Sequence, residues 1–216
     1  MDEFGALIPS RRAKTRELDF GTYHHSTSVG SKKLRAILKA MFDDAFASLP
    51  FGREDELRIL DVGCGLGFLS CVSANFYTNS RVTGIDTFEH TSLKKSSLKR
   101  AKENVKILGF SDRIDFKKVN VFRFTPTEKF DLIVSNLVFH NFGKTRFKAY
   151  SLLSYWTYSG SFVVIGDLFF SAKADIAQLT RAFRIVRRIK PKNGIGQYAL
   201  LMMSKKSICT QRKPQN

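Results

Sequence analysis

Apolar and polar positions along this chain switch between two periods. Leu34, Ile37, Leu38, Met41 and Phe42 recur at helical spacing, which predicts an amphipathic helix after a turn-rich stretch from Phe20 to Gly30. Leu57 to Val62 is instead an unbroken apolar and β-branched run, as in a parallel strand buried on both faces. Helical spacing returns from Phe68 to Tyr77. The alternation then repeats. Arg81 to Asp86, Arg113 to Val119, Phe130 to Asn136 and Ser161 to Asp167 read as strands, with helices expected from near Glu89 and from about Ala172 to Ala182. Phe183 to Ile189 and Gly196 to Met203 are apolar enough for two further strands, joined by the turn-forming run Pro191 to Gly196. Strands alternating with helices predict an α/β fold, and no internal repeat or linker interrupts it.

The turn after the first strand carries the chemistry. Asp61-Val62-Gly63-Cys64-Gly65-Leu66-Gly67 places three glycines at alternate positions between a strand and a helix, where glycine permits unusual φ angles and close backbone approach to a ligand. A dinucleotide loop has the spacing Gly-x-Gly-x-x-Gly and cradles a pyrophosphate. Here an acid precedes the glycines. Asp61 would repel a pyrophosphate but suits the α-ammonium of an amino-acid-like ligand, which points to S-adenosylmethionine rather than NAD. In this loop the chain resembles the class I (Rossmann-like) S-adenosylmethionine-dependent methyltransferases, over roughly Leu57 to Met203. The resemblance implies a doubly wound, mostly parallel seven-stranded α/β sheet with an antiparallel last strand and helices on both faces. It also implies S-adenosyl-L-methionine as cofactor, held by Asp61, Gly63, Cys64, Gly65 and Gly67 at its methionine end.

Asp86 ends the second strand, nineteen residues after Gly67, where a carboxylate can accept both ribose hydroxyls. A solvated acid capping the next helix is the plainer alternative. Asn120 and Val121 occupy the place after strand three where the family often has an acid near the adenine. Asn120 departs from that pattern, although its side-chain carbonyl can accept from the adenine amino group; a simple loop asparagine is the other reading. Ser135 and Asn136 close strand four at the edge where open α/β sheets bind ligands.

Acceptor chemistry is expected just beyond. Methyltransferases acting on exocyclic base amines or glutamine amides commonly carry Asn-Pro-Pro-Tyr here, whereas this chain has Asn136-Leu-Val-Phe139. Ser135-Asn-Leu-Val-Phe-His140 resembles the small-molecule subfamilies, in which a histidine often follows this strand. Asn136 and His140 are therefore the catalytic candidates, His140 as general base or acceptor-positioning group, with a packed structural histidine as the alternative. Asp167, past strand five, reads as an exposed acid or a pocket residue. Tyr23, His24 and His25 are candidates for a lid or acceptor pocket, against ordinary surface exposure.

Composition narrows the class. With 216 residues and 43% hydrophobic content the chain can bury one substantial core. No apolar run reaches the roughly 18 residues that span a bilayer. The opening Met-Asp-Glu-Phe has no signal-peptide pattern, so a cytoplasmic location is expected. Cys64, Cys71 and Cys209 show neither a disulfide framework nor zinc spacing, and no metal is expected. The organisation anticipated is an arm and lid over 1–30, the cofactor domain over 31–205 and a basic tail over 206–216.

Charge opens a second route. Against 19 Asp and Glu stand 36 Lys and Arg, a formal charge of +17, which favours an anionic partner such as RNA, an acidic protein or an anionic membrane surface. Lys94, Lys95, Lys99, Arg100, Lys102 and Lys106 are expected on one helix, while Arg181, Arg184, Arg187, Arg188, Lys190 and Lys192 cluster near the C-terminus. Three functions follow. They are methyl transfer to a small molecule, methyl transfer to RNA or another macromolecule docked on the basic surface, and nucleotide binding without catalysis.

Overall fold

A computed structural model describes residues 17–191 and 196–207. The arm with Arg11, Arg12, Lys14 and Arg16, the turn residues 192–195 with Lys192, and the tail with Cys209 lie outside them. The elements in order are α1 (Ser28–Ala47), β1 (Arg58–Val62), α2 (Phe68–Phe76), β2 (Arg81–Asp86), α3 (Leu98–Ile107), β3 (Ile114–Lys118), β4 (Phe130–Asn136), α4 (Arg146–Tyr155), β5 (Thr157–Leu168), α5 (Ala172–Leu179), β6 (Phe183–Ile189) and β7 (Tyr198–Lys205). They build one seven-stranded sheet in the order β3-β2-β1-β4-β5-β7-β6. The first five strands are parallel, and β7 runs antiparallel to both its neighbours.

Period-two alternation sorts each central strand between two cores. Ile59, Leu132 and Val164 face one side, where Leu38, Phe42 and Phe46 of α1 pack with α2 and α3. Leu60, Ile133 and Val163 face the other, beneath Ala149, Tyr150 and Leu153 of α4 and Leu179 of α5. Both faces are therefore covered, and the sheet is buried as parallel sheets require. Chain order reverses between β1 and β4, so β1 and β2 feed one side of the molecule and β4 and β5 the other. The crevice at that reversal opens along the C-terminal strand ends.

Three elements differ most from the sequence pattern, each for a local reason. α3 starts at Leu98, not near Glu89, because Ser97 caps it by accepting from the Arg100 N–H, and Phe88 and Lys95 before it hold left-handed φ of 59° and 56°. Lys94 and Lys95 therefore precede the helix. α4 has no counterpart in the pattern, since only Ala149, Tyr150 and Leu153 of its ten residues are buried. β5 begins at Thr157, ahead of Ser161: Thr157 pairs with Phe130, and a register shift before Leu132 meets Phe162 leaves the residues between them bulged.

Candidate functional site

A cavity of about 640 Å³ lies at the C-terminal ends of β1, β2 and β4. Of the residues anticipated from sequence, Asp61, Gly63, Cys64, Gly65, Asp86, Asn120, Val121, Asn136 and His140 line it together. Tyr23, His24 and His25 line it as well. Gly67 and Ser135 do not. Gly67 caps α2 with φ 85° and leaves no room for a side chain, because an added Cβ would stand 2.7 Å from the Phe116 ring. Ser135 points its Oγ at the Val62 carbonyl (2.8 Å) and ties β4 to β1.

The glycine loop is fixed from several sides. Its Gly65 N–H donates to Asp86 Oδ2 (2.9 Å), and the Leu66 carbonyl accepts from Asn104 Nδ2 of α3 (2.9 Å). Gly63 has φ 74°, and a Cβ there would lie 2.3 Å from Val138, so the loop and the segment after β4 approach too closely for any side chain. Asp86 Oδ1 accepts from the Phe88 N–H (2.6 Å). Asp86 thus orders the turn after β2, rather than a helix near Glu89, and it lines the cavity with each carboxylate oxygen holding one backbone donor.

Asp61 is 1% exposed. Ser70 Oγ donates to its Oδ2 at 2.6 Å, while Oδ1 has no hydrogen-bond partner. Burial pushes its pKa from 3.8 up to about 7, with the nearby Asp86 adding to the shift and the Ser70 bond opposing it. Such an orphaned buried oxygen suits a cationic donor. Cys64 and Cys71 are buried, and burial raises both thiols, so neither is a reactive nucleophile. Asn120 accepts from the Phe122 N–H (2.9 Å), an Asx cap that uses one of its two carbonyl lone pairs.

The part of the cavity beyond β4 holds an arrangement that sequence reasoning missed. Asp167, read as an exposed acid or a pocket residue, is 1% exposed and instead carries His140: its Oδ1 lies 2.5 Å from His140 Nδ1. Backbone N–H groups of Phe139 (2.7 Å), His140 (3.3 Å) and Leu168 (2.7 Å) also donate to Asp167. Asn136 Oδ1 accepts from the hydroxyl of Tyr198 on β7 (2.9 Å). Between them Leu137 holds φ 57°, a strained conformation that turns the chain sharply after β4. Partners 27 and 62 residues apart leave no local signal; only the β4–β5–β7 register joins them.

One wall comes from the N-terminal segment. Tyr23 bridges Leu93, the His24 N–H donates to the Ser92 carbonyl (2.8 Å), and the buried Arg35 of α1 donates to the Gly21 carbonyl (2.9 Å). The His24 and His25 rings stand 3.7 Å apart, both exposed at the rim. His90, which accepts at Nδ1 from the Ser92 N–H (3.1 Å), adds a third rim imidazole without any motif to announce it.

Comparison with known proteins places this geometry. A family model described as a methyltransferase domain matches residues 53–195. The chain is 32% identical over 95 residues to trans-aconitate 2-methyltransferase of Streptomyces avermitilis, covering 44% of this chain and 33% of that protein. It is 28% identical over 87 residues to tRNA1(Val) (adenine(37)-N6)-methyltransferase of Vibrio campbellii, covering 40% and 34%. The chain thus spans about a third of the length of these curated relatives. Among solved structures, the ribosomal protein L11 methylase of Lactobacillus delbrueckii subsp. bulgaricus shares the fold with a TM-score of 0.64 at 20% identity, over 94% of this chain and 92% of that one.

Proposed function

Because this chain belongs to the methyltransferase-domain family, of the class I S-adenosylmethionine-dependent type, we propose that its cavity binds S-adenosylmethionine and directs methyl transfer to a small-molecule acceptor. The residues present fit that cofactor. Asp61 offers an unpartnered buried oxygen for the α-ammonium, Asp86 offers lone pairs for the ribose hydroxyls, and Asn120 retains one carbonyl lone pair for the adenine amino group. The bound cofactor supplies a methyl group already activated on a sulfonium sulfur. The protein's own task is then to orient the acceptor and exclude water. Apolar lining from Leu66, Val138 and Phe142 supports the second, and Asn136 and His140 stand where the acceptor would be oriented.

The observation that carries this reading is the orphaned Asp61 oxygen beside the glycine loop and Asp86, in one cavity whose volume suits small ligands. Calorimetric titration with S-adenosylhomocysteine tests it. Wild-type protein should bind, and Asp86→Ala should weaken binding by at least about tenfold, or 1.4 kcal/mol. A folded wild type that does not bind would remove the basis of the proposal. The formal charge of +17 favours a second reading, in which RNA is the acceptor. It requires RNA binding that weakens steeply with salt.

A further inference from the structure

Asn136 is held by a contact that spans three strands. It pairs with Gly166 across β4 and β5, and the next residue, Leu137, donates its N–H to the Gly166 carbonyl (2.8 Å). Gly166 pairs in turn with Leu200 of β7, two residues beyond Tyr198. The tip of the Tyr198 ring fills the space that a side chain at Gly166 would take: a Cβ there would stand 1.9 Å from the hydroxyl oxygen and 2.9 Å from the carbon that bears it. Glycine at this place on β5 is what lets the hydroxyl cross to Asn136 Oδ1.

That contact sets which way the amide faces. Tyr198 is 2% exposed, and among the described residues Asn136 is the partner of its hydroxyl. Burial, with Asp167 and Tyr23 nearby, pushes the phenol well above its ordinary value, so the hydroxyl keeps its proton and needs an acceptor. Of the two ends of the Asn136 amide only the oxygen can accept, and a flipped amide would set N–H against O–H and orphan a buried hydroxyl proton. Neither Tyr198 nor Gly166 lines the cavity, so Oδ1 is turned into the sheet. Nδ2 is the other branch of the same planar amide. It donates to no described residue and, on a side chain that lines the cavity, is left for a ligand.

An acceptor molecule therefore meets a donor at Asn136. An amine needs a side-chain oxygen to receive its N–H, and the Asn136 oxygen is turned away. The reacting atom keeps a lone pair for the methyl group, so the atom that Asn136 holds belongs to a neighbouring group of the same molecule. Charge narrows that group. Among the described lining residues the acids are Asp61 and Asp86 and there is no lysine or arginine, so a carboxylate would meet like charge where an uncharged carbonyl would not. Resting on the methyltransferase reading above, we propose that Tyr198 is a positioning residue for specificity: it fixes the Asn136 amide with its N–H groups toward the acceptor, and so selects a molecule that brings the uncharged carbonyl oxygen of a ketone or amide to that spot.

Two measurements on the full chain test this. Neutron diffraction from crystals grown with S-adenosylhomocysteine should place the Tyr198 hydroxyl hydrogen against Asn136 Oδ1 and both Nδ2 hydrogens toward the cavity; an amide nitrogen facing Tyr198 would overturn the proposal. In the second, acetophenone, aniline and benzoate are titrated into the protein saturated with S-adenosylhomocysteine at about pH 8, where free imidazole is uncharged. Acetophenone should bind at least about tenfold tighter than aniline, because a site built around one hydrogen-bonding partner rejects the analogue that lacks it, and benzoate should bind more weakly than acetophenone. Asn136→Asp keeps one oxygen for Tyr198 and turns the other to the cavity, so it should reverse the preference in favour of aniline. Tyr198→Phe frees the amide to turn and should abolish the preference, whereas a tyrosine with a packing role alone would leave the ratio of the two affinities unchanged. Failure of S-adenosylhomocysteine to bind would overturn the methyltransferase reading and this one together. Its binding with acetophenone no tighter than aniline, undetectable binding of acetophenone included, or with benzoate the tightest of the three, would overturn this one alone.

Discussion

Asp61 offers the sharpest residue-level test, because one carboxylate links folding and ligand binding through a single proton. Its folded pKa, about 7, stands above the ordinary 3.8, so the fold prefers the protonated acid. The stability this contributes is fully present below 3.8 and is lost as pH rises through about 7. Asp61→Asn should flatten that stretch of the thermal midpoint against pH. An ammonium beside Oδ1 favours the charged form, so S-adenosylhomocysteine affinity should rise with pH up to about 7 and then level. Titration in two buffers of different ionisation enthalpy should reveal the released proton below that point, and the asparagine variant should release none. Gly63→Ala makes a second test. With φ 74° and Val138 at 2.3 Å from the new Cβ, it should cost about 1–3 kcal/mol in denaturant unfolding. That Asp61, Asp86, Gly63 and Gly65 meet at one cavity was legible in the sequence because a strand-to-helix turn of that spacing restricts what can lie there. Asp167 was not legible as His140's partner, because its meaning depends on which residue the β4–β5 register sets beside it.

Strands were legible wherever an apolar, β-branched run marks them, at the sheet edge as well as in its centre. β1 read from an unbroken apolar run and β2 and β4 from shorter apolar, β-branched ones, and β2, β4 and β6 have the very bounds the pattern suggests. α4 escaped notice since polar residues occupy most of its surface, and α3 was set too early since Ser97 caps it where the periodicity alone has no stop signal. α1 settles a question of organisation. Although it precedes the first strand, Phe42 and Phe46 are fully buried, and Tyr77 donates to the Phe46 carbonyl at 3.0 Å, so the helix is part of the core. Phe42→Ala should therefore destabilise the protein by about 3–5 kcal/mol in chemical denaturation, as for any large buried aromatic. Retention of wild-type stability would mean that α1 is a detachable appendage. The same helix fixes Gly21 through Arg35, so the variant should also lower S-adenosylhomocysteine affinity by loosening the wall formed by Tyr23 to Ser26.

At the scale of the whole molecule, topology divides a charge that the sequence presents as one quantity. Lys99, Lys102 and Lys106 are exposed on α3, which packs beside β3, and Arg184 and Arg188 are exposed on β6. β3 and β6 are the two edges of the sheet, six strand spacings or about 29 Å apart. The clusters therefore form separate surfaces rather than one track. On β6 the arginines also guard an open strand edge, where charge discourages pairing with another chain. Charge spread in this way attracts a polyanion without orienting it toward His140. Single-stranded RNA should then bind weakly and lose affinity with salt at a log–log slope of about 0.7 per phosphate neutralised. Replacing the three α3 lysines or the two β6 arginines with alanine should each reduce that slope, and the losses should add, since sites so far apart act independently. Neither set should alter S-adenosylhomocysteine binding. If instead one set abolished RNA binding and the other had no effect, the charge would mark a single docking face, and RNA would displace the small molecule as the leading acceptor.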